Sequence, residues 1–201
     1  HFGLWQVLAL QELSCIRLCN IGGAVMKYTI KAGVIYKNGS QLALAKIKSA
    51  MIGPQKEILS TTGELLLSVD VRCIDGSKTS SGDVRNREYF LFDNKKHLVG
   101  SAFPGYADGN DPDVVGWPIC RMPRVDHANV SIDEKKYILT MHNSQNYFLV
   151  DTNDSEALHI MHKGISGGWM VESNCGFTPE IICGIFTFCR YIEEENEFLI
   201  V

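Results

Sequence analysis

The stretch Thr178-Pro-Glu-Ile-Ile-Cys-Gly-Ile-Phe-Thr-Phe-Cys-Arg-Tyr-Ile192 decides how the rest of the chain must be read. A hydroxyl residue, then proline, then an acid is the order expected where a helix begins. The hydroxyl caps, the proline pre-sets φ at the first helical position, and the acid meets the positive end of the peptide dipoles. From Ile181 to Ile192 almost no polar face remains before Arg190, and a helix apolar all round needs burial on every side. Periodicity alone also permits a buried strand, but the cap and the length favour a helix over 179–192. Crossing a bilayer takes roughly 20 apolar residues, so this reads as an internal helix and not as a transmembrane segment.

Such a helix must be surrounded, and the preceding sequence supplies strands. One unit, a short strand, a polar turn and a second strand, recurs at 57–71, 88–102 and 146–160. Repeated hairpins of this size point to an antiparallel barrel or sandwich. Tyr28 and Ile30 alternate with Lys27, Thr29 and Lys31, a period of two with lysine on the wet face. Asn38-Gly39 is a tight-turn signal. The stretch 41–50 reads as strand or short helix, and Phe198–Val201 as a last strand.

Bulk composition fits one domain with a real core: 201 residues, 45% hydrophobic and 21% charged. A net charge of -4 exerts no global pull on nucleic acid or anionic lipid. The distribution is uneven: Lys27, Lys31, Lys37, Lys46, Lys48 and Lys56 stand in a stretch without acids, while 193–197 reads Glu-Glu-Glu-Asn-Glu. Seven cysteines, an odd number with no C-x-x-C pair, read as free thiols in a reducing cytoplasm. Residues 1–25 show no clean periodicity. A signal peptide would need a charged n-region that is lacking. Gly22-Gly23 ahead of Met26 suits a purine-rich bacterial ribosome-binding sequence read in frame. The expectation is therefore a leader or disordered segment over 1–25 and one domain over 26–201.

Three hairpins with Thr61-Thr62-Gly63, Asp93-Asn94 and Asp151-Thr152-Asn153 at their turns, followed by Trp169–Glu172 and the helix at 179–192, resemble the tubby C-terminal-like superfamily. That group includes the tubby domain, the phospholipid scramblases and the LURP-one-related proteins. The resemblance covers 26–201 and rests on pattern. It implies a closed antiparallel barrel of roughly 12 strands around the C-terminal helix, an arrangement that removes exposed edges and fills the lumen. Some relatives bind phosphoinositides, but no matching residue set is present here, nor clear acidic residues of the scramblase type.

Several local compositions invite a functional reading, each beside a plainer one. Trp117, Cys120, Arg121, Arg124 and His127 lie on a long, proline-rich stretch, 104–127, and together suit a binding surface. The plainer reading lets Trp117 and Met122 plug one barrel end while the arginines stay solvated. His127 after Asp126, or His142, would serve a hydrolase only if a nucleophile came within hydrogen-bond reach. Asp108-Gly-Asn-Asp-Pro-Asp113 has carboxylates for calcium, yet those are also turn residues. Gly164-Ile-Ser-Gly-Gly-Trp169 lacks the lysine of a P-loop and reads as a hairpin connection. The lysine-bearing strands suit either an anionic membrane or simple solubility. The sequence therefore predicts a non-enzymatic cytoplasmic binding module for a protein or anionic lipid headgroup, with no cofactor, metal or nucleic acid. A hydrolase using His127 or His142, or a purely structural module, is the alternative.

Overall fold

A computed structural model describes residues 24–50, 54–74, 84–108 and 125–197. Its twelve strands are β1 (Met26–Lys31), β2 (Val34–Lys37), β3 (Ala43–Ser49), β4 (Lys56–Leu59), β5 (Leu65–Cys73) and β6 (Arg87–Asp93), then β7 (Leu98–Tyr106), β8 (Val125–Ile132), β9 (Lys135–Asn143), β10 (Asn146–Asp151), β11 (Glu156–His162) and β12 (Trp169–Ser173). Each pairs antiparallel with its sequence neighbour, and β1 pairs β12 from Met26↔Ser173 to Ile30↔Trp169, closing the barrel. The stretch 41–50, open to either reading, is β3. The expected closing strand at 198–201, like residues 1–23, falls outside the described residues.

The single α-helix among the described residues, α1 (Pro179–Glu197), runs five residues beyond the predicted end, because the acidic run continues it. Ile182, Ile185, Phe188, Cys189 and Ile192 have no exposure, and residues on its other faces are nearly as buried. Their wall partners are the inward residues of alternating strands: Ile30, Ile35, Ile58, Val69, Tyr89, Leu91, Leu139, Leu149 and Val171. Burial of each such side chain contributes about 1.5–3 kcal/mol. The helix approaches β6 closely, and a Cβ at Gly184 would stand 2.8 Å from the Leu91 side chain. Burial also pushes the Cys183 thiol up to about 12, which keeps it protonated and inert. Cys183 and Cys189, both in the core, are free thiols.

Because the strands form a meander, the connections alternate between two ends. At the entry end, where α1 begins after β12, lie the turns at 38–42, 60–64, 94–97, 133–134 and 152–155. At the far end, where α1 finishes, lie 32–33, 144–145 and 163–168, with the ends of β3, β5 and β7 and the starts of β4, β6 and β8. The three repeated hairpins all turn at the entry end, with one geometry. Ser60 Oγ accepts the N–H groups of Thr62 and Glu64, Asp93 Oδ1 those of Lys95 and His97, and Asp151 Oδ1 those of Asn153 and Ser155. Each turn then needs one left-handed residue, Gly63 (φ 89), Lys96 (φ 66) or Asp154 (φ 57).

Candidate functional site

Of the residues singled out on 117–127, Trp117, Cys120, Arg121 and Arg124 lie outside the described residues. His127 belongs not to the loop but to β8, on the outer face, opposite Gly105 and Thr140. Two inward residues, Val125 and Ala128, start the strand earlier than the prolines suggest. The His127 Nδ1 lies 2.7 Å from Asp126 Oδ1, and its ring rests on Gly105, where a Cβ would come within 2.3 Å of Nε2. His142 is exposed at the far end of β9, its ring 4.8 Å from that of Phe148, which stacks at 4.1 Å on His159. Among the described residues neither His127 nor His142 hydrogen-bonds a hydroxyl or thiol, so the structure does not bring a nucleophile to either. Of the suggested calcium cluster only Asp108 is described, and no group of three metal-binding side chains occurs among the described residues.

The far mouth of the barrel carries a dense polar ring that the sequence shows only as a charge run. The Arg87 guanidinium bonds the Glu195 carboxylate, both largely buried. Asn196 exchanges two 3.0 Å hydrogen bonds with the backbone of Val125, and the Tyr191 hydroxyl donates to the Pro54 carbonyl at 2.6 Å. Tyr147 donates to Glu193 at 3.2 Å, and Glu193 also takes Arg190. Burial, opposed by Arg87, raises the Glu195 pKa. Burial and the neighbouring acids hold the phenols of Tyr89, Tyr147 and Tyr191 above their ordinary range. The buried Tyr89 hydroxyl meets no hydrogen-bond partner of ordinary geometry, but the contacts of Arg87, Tyr147, Val125 and Pro54 hold the last helical turns in place.

On the outside, the lysines of β1 and β3 share one side of the barrel. Lys27, Lys31, Lys46 and Lys48 are exposed on β1 and β3, with Lys56 beginning β4 and bonding Ser49 at 3.2 Å. Two acids temper them: Glu172 pairs Lys27 at 2.7 Å, which lowers its pKa, and Glu57 stands opposite Lys48. Lys31, Lys48, Lys56 and Lys163 reach the far end. There the 163–168 connection holds Ile165 entirely in solvent, at 109% relative exposure. A separate shallow cavity of about 450 Å³ opens beside β7 and β8, lined by Leu98, Val99, Ser101, Ser131, Asp133 and Glu134. It holds no histidine or cysteine, and its Ser101 hydroxyl is engaged with Glu88. It therefore lacks a histidine base to activate either serine.

Neither a family model nor a curated protein matches this chain. Among solved structures, a protein from Arabidopsis thaliana is similar at 10% sequence identity over 84% of this chain and 91% of its own, with a TM-score of 0.34. A likeness at that level lends no weight to any functional reading.

Proposed function

We propose that this chain is a non-enzymatic binding module of the tubby C-terminal-like kind, which takes an anionic partner, a lipid headgroup or an acidic protein surface, on the outside of its barrel. The observation that carries the reading is the division of labour between inside and outside. The lumen is filled by α1, so a ligand must be met on the outer wall or at a mouth. On that wall the lysines of β1 and β3 are gathered with few acids although the whole chain is acidic. The twelve-stranded barrel around one apolar C-terminal helix is the architecture that the tubby-type resemblance implies. No helix among the described residues is long and apolar enough to cross a membrane.

Each lysine held near an anionic membrane contributes about 1 kcal/mol, and salt screens such attraction over about 10 Å at 0.1 M. The test is co-sedimentation of the full chain with vesicles of phosphatidylcholine, with and without phosphatidylserine, and retention on an immobilised acidic polypeptide. Binding should require negative charge, weaken with salt, and fall sharply in the charge reversal Lys31→Glu/Lys46→Glu/Lys48→Glu. Indifference to every anionic surface, or equal binding by the triple variant, would refute the reading. The Asp126–His127 pair, at 2.7 Å, is the one observation favouring a hydrolase. That alternative requires His127→Ala to abolish turnover of an ester or phosphate substrate.

A further inference from the structure

The connection between β11 and β12 reads as an ordinary glycine-rich turn, but its geometry is that of a mounted tip. Lys163 N–H donates to the Gly168 carbonyl at 2.9 Å and Gly167 N–H to the Gly164 carbonyl at 3.0 Å. Ser166 Oγ donates to the Lys163 carbonyl at 2.8 Å, and Gly164 N–H to His162 Nδ1 at 3.1 Å. Gly164, Gly167 and Gly168 all have positive φ (62, 68 and 82), so the chain reverses within a few residues at little steric cost. The base is anchored inside the barrel: Trp169 packs on Tyr147 and on Phe186 of α1, and His162 meets the Trp169 edge. The loop is thus pre-organised, and what it presents is a bare isoleucine.

A single exposed apolar side chain is common on soluble proteins. The surroundings of Ile165 are not. A Cβ at Gly168 would lie 3.5 Å from Lys31 Cβ, so the loop sits directly beside that lysine. The next turn, at Gly33, is bonded to Ile47, between Lys46 and Lys48, through the Ile47 N–H at 2.7 Å. Lys163, Ile165, Lys31, Lys46, Lys48 and Lys56 therefore follow one another along a continuous arc of the far rim. Two carboxylates of the helix end beside that rim are paired, Glu195 with Arg87 and Glu193 with Arg190 and Tyr147. Glu57 faces Lys48 on the outer wall.

We infer that Ile165 is a membrane anchor: the barrel docks far end down on an anionic bilayer, the lysine arc meeting the headgroups and the Ile165 side chain entering the interface. A projecting tip within a broad cationic rim suits a flat, negatively charged, penetrable surface. An acidic protein would instead need a pocket shaped for that tip. Because the loop is already ordered by its own hydrogen bonds, docking loses little conformational entropy. This inference rests on the anionic-partner reading above and adds the apolar contact, the orientation and the bilayer.

The experiment uses the full chain and phosphatidylserine-containing vesicles. Ile165→Ser should weaken binding by about 10-fold or more, the lower end of the transfer value of one exposed-to-buried aliphatic side chain, and the residual binding should keep the wild-type salt dependence. In Ile165→Trp the fluorescence of the introduced indole should shift to the blue on adding vesicles and be quenched by lipids brominated on their acyl chains. Thermal midpoints of both variants should match wild type, since the side chain touches only solvent. Wild-type affinity for Ile165→Ser, or an introduced indole whose emission neither shifts nor is quenched, would overturn insertion while leaving the anionic-partner reading intact. Retention of the wild type on the acidic polypeptide but on no vesicle would also overturn it, in favour of a protein partner. Loss of all binding to anionic surfaces would remove both.

Discussion

The two ends of this barrel solve the same problem, how to stop a strand and reverse it, by opposite means. At the entry end the chain uses local chemistry. A serine or aspartate begins the turn, its oxygen takes the next free N–H groups, and a left-handed residue completes it at Gly63, Lys96 and Asp154. At the far end 144–145 and 163–168 also close locally, but the helix end is held by partners distant in sequence. Arg87 reaches Glu195, Val125 reaches Asn196, and Pro54 accepts from Tyr191, separations of 108, 71 and 137 residues. The helix runs from the first end to the second, so its start at Pro179 is defined locally and its acidic finish is defined by the wall. Acids crowded near the C-terminal end of a helix, as at 193–197, oppose its dipole; Arg87 and Arg190 offset part of that cost.

The most severe way to break the comparison is to remove what both ends share. Phe188 has no exposure and packs its ring 5.9 Å from that of Tyr89. Phe188→Asp would bury an unpaired charge at several kcal/mol, against a total stability of about 5–15. Little soluble folded protein is expected, and a normally folded, soluble variant would show that the helix is peripheral to the core.

Next in size is the far end alone. Glu195→Ala leaves the Arg87 guanidinium buried without its carboxylate and should cost about 3–5 kcal/mol in urea unfolding. The paired replacement Arg87→Met/Glu195→Leu should recover most of it, because the desolvation of both charges disappears together. Equal losses in single and double variants would mean the pair is not what holds the mouth.

Changes at the entry end should be smaller and confined to one turn each. Asp151→Ala removes an exposed carboxylate that accepts two backbone N–H groups, which water can then satisfy. Its urea midpoint should fall only slightly, well short of the Glu195→Ala change. Lys96→Gly relieves a left-handed lysine and should raise stability by about 1 kcal/mol or less. If either substitution moved the unfolding midpoint as much as Glu195→Ala, the distinction between local and long-range ends would fail.

The last prediction separates the ends by the sign of their response to acid. Hydrogen bonds from the Ser155 and Asn153 N–H groups hold the Asp151 carboxyl below its ordinary 3.8. At Asp93 slight desolvation pushes upward, but the donors of His97 and Lys95 outweigh it, with the same net direction. Both aspartates contribute stability above that ordinary value, and it is lost as pH falls through their folded pKa values. Glu195 is the reverse: its folded pKa is raised above 4.5 by burial. Its contribution is complete below 4.5 and is lost as pH rises through the folded value. Urea midpoints measured against pH should therefore lose their acid-side decline in Asp93→Asn/Asp151→Asn, and their gain on mild acidification in Glu195→Gln. Identical pH profiles for wild type and both variants would contradict the assignment.

What is legible in the sequence follows the same division. The helix start at Thr178-Pro179-Glu180 and the three hairpin turns depend on residues a few positions apart, so propensity and spacing are enough to place them. Sequence reasoning ends the helix at 192, where the apolar run stops; Arg87, Tyr147 and the backbone at Val125 and Pro54, all distant in sequence, hold the last turns. His127 reads as a loop residue for a related reason, since the prolines upstream say nothing about where β7 begins to pair β8. Ile165 carries no signal beyond an apolar letter among glycines, because exposure is a property of what does not surround a residue.

By itself, then, the sequence determined a β-rich domain built around one apolar helix. Alternation, turn chemistry and capping act over a few residues, and a helix without a polar face can only be enclosed. Tertiary structure alone decided that β1 closes on β12, that the acidic run is clamped in the far mouth, and that Lys31, Lys46, Lys48 and Lys163 share a rim with Ile165. Those are relations between segments up to 147 residues apart, as at Met26↔Ser173, and no local preference of the chain encodes which distant surface each will meet.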